Sequence, residues 1–390
     1  MARDKHFRSR RAAGRSSAAA TFDSMRSRIR TVDTQPHRST RTFVSLTGPA
    51  DNIGDALIRR GTLEWALGTS DELVVYVGDA PDVWLRQLGV PEDALVLRTK
   101  RSVPRWLWML AMTRGRPVLV FEAGEVPLDR GNVVREVVFL AETLLVRLKG
   151  GLVVRPPRGI RAATNPALWL HALAARTSQI ALWRDTATAA LAKGGALAPD
   201  IGLAIEPHPS NRARDELVVS LRGNRPMPAP AWIEAVRATA EGEGLSVRAV
   251  VQVREDEARA RELAKALGGE FEPWGDTDPV AHEARLRERY AGARLVISDR
   301  MHVLVLAAID GAALAELVPA PTRKITEAFA TVGIHDITLD ATRAQPHEMQ
   351  AFLSTQLGRA EQIGERVEAA RRRLGEIEKQ VRETIREQRA

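Results

Sequence analysis

The chain has 390 residues, no cysteine, a formal net charge of +8 and a hydrophobic content of 44%. That length suggests two domains, and the apolar content is enough to build real cores, which excludes wholesale disorder. The lack of cysteine excludes disulfides, cysteine nucleophiles, thiolate zinc sites and iron–sulfur clusters, and fits a reducing compartment.

The excess charge sits at one end. Residues 1–41 hold ten arginines and one lysine against three aspartates, whereas the remainder carries equal numbers of basic and acidic residues. This Ser-, Ala- and Arg-rich stretch lacks apolar periodicity and predicts a disordered, solvated tail. Its alternative role is a weak electrostatic contact with an anionic membrane or polymer. Specific nucleic-acid binding by the globular part is not expected. No run approaches the ~18–20 apolar residues that span a bilayer. Trp106–Met112 is too short for that and predicts a buried helix. The N-terminus carries no apolar core behind its basic residues, so it does not read as a secretory signal. The compartment expected is the cytoplasm, with peripheral contact at the inner face of the membrane as its extension.

From residue 42 onward, short apolar runs alternate with helical stretches, the pattern of α/β units carrying a parallel sheet. Thr42–Leu46 predicts a strand, followed by the turn-rich Gly48–Asn52 and a helix over Ile53–Trp65. Leu73–Val77 is a second strand, with a helix near Pro81–Leu88. Leu95–Leu97 and Val118–Phe121 follow as strands, then a helix over Val133–Leu148. A strand over Leu152–Val154 stops before Pro156-Pro157, and Ile180–Trp183 closes the half. The pattern breaks near Pro199–Asn211, which predicts a linker. Strands at Leu217–Leu221, Val247–Val253 and Leu295–Ser298, a buried helix at Val303–Ile309 and a strand at Leu314–Val318 repeat the scheme. The organisation expected is therefore a tail (1–41), an N-terminal α/β domain (42–199), a linker (200–215), a C-terminal α/β domain (216–345) and a long amphipathic helix (346–390). Two Rossmann-like halves would face each other across a cleft at the carboxyl ends of their strands. In the last segment Ile363, Val367, Ala370, Leu374, Ile377 and Val381 recur at three- and four-residue spacings between charged flanks. Such a stripe either lies across the body of the protein or pairs two copies as a short coiled coil.

The chain has no phosphate loop, no Gly-x-Gly-x-x-Gly fingerprint and no His-Glu-x-x-His helix, and its eight histidines show no metal-ligand spacing, so no metal site is expected. What remains is an anion site built from cations and helix termini. Asp51-Asn52-Ile53-Gly54-Asp55 lies between the first strand and its helix, where a glycine lets the backbone approach a ligand and free N–H groups face anions. Asp51 or Asn52 also suits a helix cap, and Asp55 can accept from a substrate hydroxyl. Ser298-Asp299-Arg300-Met301-His302 ends an apolar strand ahead of a buried helix. There an arginine fork and an imidazole can meet a phosphate or carboxylate. Ser220-Leu221-Arg222-Gly223 ends the first strand of the second half in the same way. Arg323-Lys324 could complete the clamp.

With these residues the sequence resembles the polysaccharide pyruvyl transferase family. The likeness rests on Asn52-Ile53-Gly54-Asp55, on Arg184-Asp185 with Pro199-Asp200, on Ser220-Leu221-Arg222, and on Ser298-Asp299-Arg300-Met301-His302 with Lys324 downstream. It spans about residues 43–330 and leaves out the tail and the last helix. It departs from the family at Met301, where a leucine is usual, and at Glu122-Ala123-Gly124-Glu125, a reduced form of a glycine-rich segment. The resemblance implies two domains of the B-type glycosyltransferase fold. It also implies transfer of pyruvate from phosphoenolpyruvate onto hydroxyls of a glycan or its lipid-linked precursor, as a ketal, with release of phosphate and no further cofactor. Arg222, Arg300, Met301, His302 and Lys324 would then hold phosphoenolpyruvate, with His302 and Arg300 catalytic. Asp51, Asn52 and Asp55 would face the acceptor, with an aspartate as base. Two other readings use the same fold. A nucleotide-sugar glycosyltransferase would need a ribose-binding carboxylate such as Glu316 or Glu327, and a non-catalytic scaffold would leave the cleft empty.

Overall fold

A computed structural model describes residues 40–388; the tail expected over 1–41 lies outside the described residues except for its last two. The first half runs β1 (Arg41–Ser45), α1 (Ile53–Ala66), β2 (Glu72–Gly78), α2 (Asp82–Leu88), β3 (Leu95–Arg98), α3 (Val103–Met112), β4 (Val118–Val120), β5 (Gly124–Pro127), α4 (Val133–Leu148), β6 (Leu152–Arg161), α5 (Ala167–Thr177), β7 (Ile180–Trp183), α6 (Thr186–Ala192) and β8 (Ala196–Leu197). The second runs β9 (Glu216–Ser220), α7 (Pro230–Gly242), β10 (Ser246–Val250), α8 (Glu257–Leu267), β11 (Glu270–Glu272), α9 (Pro279–Gly292), β12 (Ala293–Ser298), α10 (Met301–Ile309), β13 (Ala313–Val318), α11 (Arg323–Ala330) and β14 (Thr338–Asp340), then α12 (Pro346–Leu357) and α13 (Ala360–Glu387).

Each half builds one sheet. The order is β3-β2-β1-β4-β6-β7-β8 in the first, with β5 on β6, and β11-β10-β9-β12-β13-β14 in the second. Neighbouring strands pair in parallel, as crossover helices require. In both sheets the chain reverses direction beside the first strand of the half, β1 or β9. Loops after the strands on either side of that point splay apart and leave a crevice. The middles of these strands are apolar: Phe43, Val44, Leu217, Val218 and Val219 are fully buried, as a sheet covered on both faces demands.

Three expectations change. The strand expected to stop at Val154 continues as β6 to Arg161, through Pro156-Pro157. Its partners are β4 over Leu152–Val154 and β5 over Arg158–Arg161, and its pairing with β7 skips between Arg155 and Arg158. Both prolines therefore occupy the gap in the ladder, where no N–H is needed. The linker is not free along its length: Ile201, Gly202 and Leu203 form a buried turn. The last segment is two helices, α12 and α13, parted at Gly358-Arg359. Within α13, Ile363, Val367, Ala370, Leu374 and Val381 are buried in the main core. Arg382 donates from α13 to the carbonyls of Leu67 and Glu64 at 2.6 and 2.7 Å, so the helix returns to the first half. The stripe faces the protein's own core and is not available to a second copy.

Truncating Leu374 to alanine should then cost about 2–5 kcal/mol of stability, read as a lower denaturation midpoint with unchanged molecular mass. Unchanged stability with a halved mass would return the stripe to a role between copies.

Candidate functional site

The crevice encloses a cavity of about 290 Å³ whose lining includes Asn52, Asp55, Glu125, Arg184, Arg222, Arg300, Met301, His302 and Lys324. Six cationic side chains line it against two carboxylates, Asp55 and Glu125, and only Ile58, Val253 and Met301 are apolar. It is a small, polar, positively charged site.

The first wall is the start of α1. Asn52 caps that helix, its Oδ1 accepting from the backbone N–H groups of Gly54 and Asp55 at 3.0 and 3.3 Å. Its Nδ2 donates to Asp55 Oδ2 at 2.9 Å, which aims the carboxylate. Gly54 is required by contact: a Cβ there would lie 2.8 Å from His302 Cβ and 2.9 Å from His302 Nδ1. Asp51, expected to face the acceptor, does not line the cavity. It pairs with Arg254 Nε at 2.9 Å and ties the two halves together.

The second wall is the tip of β12 and the start of α10. That helix is buried on every side over Val303–Ile309, so its N-terminus is fixed where Arg300 and His302 stand. Arg300 is more heavily engaged than expected. It donates through Nε to Asp256 Oδ2, and through Nη2 to Asp256 Oδ1 at 2.7 Å and Glu255 Oε1 at 2.9 Å. Burial alone would lower its pKa, but Asp256 and Glu255 outweigh that and raise it. Arg222, at the tip of β9, is held at its backbone, which donates to Asp299 Oδ1 at 3.0 Å. Its Nε stands 3.8 Å from Asp299 Oδ2, and among the described residues no hydrogen bond occupies its terminal nitrogens, which leaves them open to the cavity it lines. Arg323 points away, 89% exposed at its side chain and paired with Glu327 at 3.1 Å.

Several contributors were not assigned a role from the sequence. Glu125, in the reduced glycine segment, accepts from Lys324 Nζ at 2.9 Å and stands 3.8 Å from Arg184 Nη2. Burial pushes its carboxyl up, yet Lys324, Arg184 and Arg161 together hold it below the usual range. Lys324 is lowered, first by burial and then by Arg184, with Glu125 opposing. Arg184 is almost wholly buried and lies 3.3 Å from Asp200 Oδ2, and Asp200 Oδ2 is 3.7 Å from His302 Nε2. Burial would raise the Asp200 pKa, but His302, Arg184 and the Gly202 N–H bring it well below the ordinary carboxylate value. Arg184 also explains Gly159, where a Cβ would come within 2.7 Å of Arg184 Nε. The Arg184 and Pro199-Asp200 stretches were visible as motifs; their meeting with His302 is a product of the fold.

Neither carboxylate named for a ribose lines the cavity. Glu316 is 1% exposed and accepts from Thr338 Oγ1 at 2.8 Å, while Glu327 is turned to Arg323. Burial pushes the Glu316 carboxyl up to about 7.

No protein-family model matches this chain, and no curated protein matches it by sequence. Solved structures do match. Anabaena HepE in complex with UDP shares 14% identity at a TM-score of 0.57, over 89% of this chain and 100% of that one. UDP-GlcNAc 2-epimerase from Neisseria meningitidis bound to UDP-GlcNAc shares 9% at 0.52, over 84% and 94%. The S. aureus MnaA–UDP structure shares 13% at 0.51, over 85% and 91%. At these identities the likeness is one of fold: two parallel α/β halves of the B-type glycosyltransferase architecture, as expected.

The Glu316 shift sets a pH dependence. A folded carboxyl titrating near 7 stays protonated where the unfolded one, near 4.3, has ionised. The folded state therefore holds the extra proton between those values, and this group's contribution to stability falls as pH rises through them. Glu316→Gln should raise stability by roughly 3 kcal/mol at about pH 8 and leave it unchanged at about pH 4. Equal effects at both would show that Glu316 ionises normally.

Proposed function

We propose that this chain transfers the pyruvyl unit of phosphoenolpyruvate to two hydroxyls of a glycan or of its lipid-linked precursor, releasing phosphate. The observation that carries this reading is the open fork of Arg222 beside Lys324, Arg184 and His302 in a small cavity with little apolar wall. A donor bearing both a phosphate and a carboxylate satisfies several converging cations at once. Neither Glu316 nor Glu327 lines the cavity, and only Ile58, Val253 and Met301 offer apolar wall for a base, which argues for a donor smaller than a nucleotide sugar.

The chemistry follows from those positions. Arg222, Lys324 and Arg184 hold the anionic groups, and Arg300, fixed by Asp256, presents its remaining nitrogen from the same wall. As one sugar oxygen bonds to the carbon bearing the phosphate, a proton reaches the methylene carbon and makes it a methyl group. The second sugar oxygen bonds to the same carbon as the C–O bond to phosphate breaks, giving the ketal. One hydroxyl proton ends on the methyl group and the other leaves with phosphate. His302, held beside Asp200, is the donor to the phosphate oxygen, and Asp55, aimed by Asn52, takes the hydroxyl proton from the opposite wall.

A second reading, transfer from a nucleotide sugar, draws on the neighbours whose structures hold UDP. The two are separated by turnover. With candidate glycans present, the chain should release phosphate from phosphoenolpyruvate and leave UDP-sugars intact. Arg222→Ala should lower that release by about 10²–10³-fold. Consumption of a UDP-sugar with phosphoenolpyruvate inert would establish the second reading instead.

A further inference from the structure

The outer surface of the first half is inverted. In α4 both glutamates point inward: Glu136 is fully buried and shares a 2.8 Å hydrogen bond with His171 of α5, and Glu142 accepts from Trp106 of α3 at 2.9 Å. The outward positions are instead apolar. Val134, Val137, Leu144 and Leu148 are 75%, 50%, 43% and 86% exposed, at spacings that place them along one face of the helix. An ordinary surface helix has the opposite arrangement.

The neighbouring helices extend this face. The Trp106–Glu142 bond and a 2.7 Å bond from Lys149 Nζ to the Ala111 carbonyl set α3 alongside α4 in the same direction. Trp108 and Met112, 62% and 58% exposed, therefore stand beside Leu144 and Leu148. This corrects the expectation of a buried helix over Trp106–Met112: only one side of α3 is buried. On the other flank, Trp169 of α5 is 57% exposed. At its near end the face approaches the cavity, because Leu128, three residues beyond Glu125, packs against Val133 and Ala167 where α4 and α5 begin.

The charge on this face is mostly basic, with Asp129 at the start of α4 and Glu72, paired with Arg41, at its margins. Between Asp93 and Glu122 there is no acidic residue, and Lys100, Arg101, Arg105, Arg114 and Arg116 are exposed around α3. From Thr143 to Arg184 acids are again absent, with Arg147 and Arg176 exposed. The described chain enters at the same place: Arg41 Nη1 lies 3.4 Å from Thr113 Oγ1, just after α3. The sequence before it carries ten further basic residues.

We propose that the outer face of α3, α4 and α5 docks this protein on an anionic lipid bilayer. Exposed tryptophans and leucines would enter the interfacial layer and the surrounding arginines would meet lipid phosphates. A protein partner or a second copy would more commonly meet a surface of mixed charge, whereas a ring of arginine and lysine around tryptophan and leucine complements an anionic membrane. Among the described residues no helix is long and apolar enough to cross a membrane, so the contact is one of lying on it. The proposal is independent of the donor reading.

Sedimentation of the full chain with vesicles tests it. Binding is expected to vesicles of phosphatidylcholine with phosphatidylglycerol at about 0.15 M salt, and a bound fraction should persist at about 1 M salt, where purely electrostatic attachment of the N-terminal arginines is screened. The double variant Trp108→Ser/Leu148→Ser, which alters only exposed side chains, should bind at least roughly tenfold more weakly with an unchanged melting temperature. Three outcomes would overturn the proposal: no binding to these vesicles, equal binding by the variant, or a wild-type dimer that the variant dissociates, which would make a second copy the occupant.

Discussion

Cations facing the crevice are held by neighbouring carboxylates, and the rest of the site depends on that arrangement. Asp256 grips Arg300, Asp299 binds the backbone of Arg222, Asp200 stands between Arg184 and His302, and Glu125 meets Lys324. A cluster of arginines and a lysine would otherwise repel itself and lose its solvation. The buried carboxylates reduce that cost without cancelling the charge that lines the cavity.

The two walls are also fixed relative to each other. Asp51 pairs with Arg254, Arg60 with Glu283 at 2.7 Å and Arg86 with Asp278 at 3.0 Å, each joining a helix or loop of the first half to the second. The long helix α13 begins after the second half and ends against α1, so its apolar stripe is used as a brace. The last helix, which lies outside the resemblance to a known family, thus joins the second half to the first.

Much of this architecture was legible in the sequence, and the reasons differ by residue. The helix over Val133–Leu148 and the strand over Ile180–Trp183 have the expected bounds because local periodicity dictated them. Pro156-Pro157 misled because a proline normally ends a strand, and only the switch of partners from β4 to β5 shows why it is tolerated here. Arg222, Met301, His302 and Lys324 were placed at strand and helix ends by topology, and the structure brings them to one cavity. Arg300 reaches it with its fork largely taken, since Asp256 is 44 positions away in the chain and no local pattern links them. Glu125 and Asp200 acquire meaning only through long-range contacts with Lys324 and His302. The inverted face of α4 was hidden for a similar reason: periodicity reveals that a helix has an apolar stripe, not which side of the protein the stripe meets.

The claim that matters most is that this cavity is built for a small molecule carrying both phosphate and carboxylate. Titration calorimetry of the full chain with phosphoenolpyruvate, inorganic phosphate and UDP tests it directly. The account predicts that phosphoenolpyruvate binds more tightly than phosphate, because the carboxylate adds contacts, and that UDP does not displace it. Tight UDP binding that excludes phosphoenolpyruvate, or equal affinity for phosphoenolpyruvate and phosphate, would contradict it.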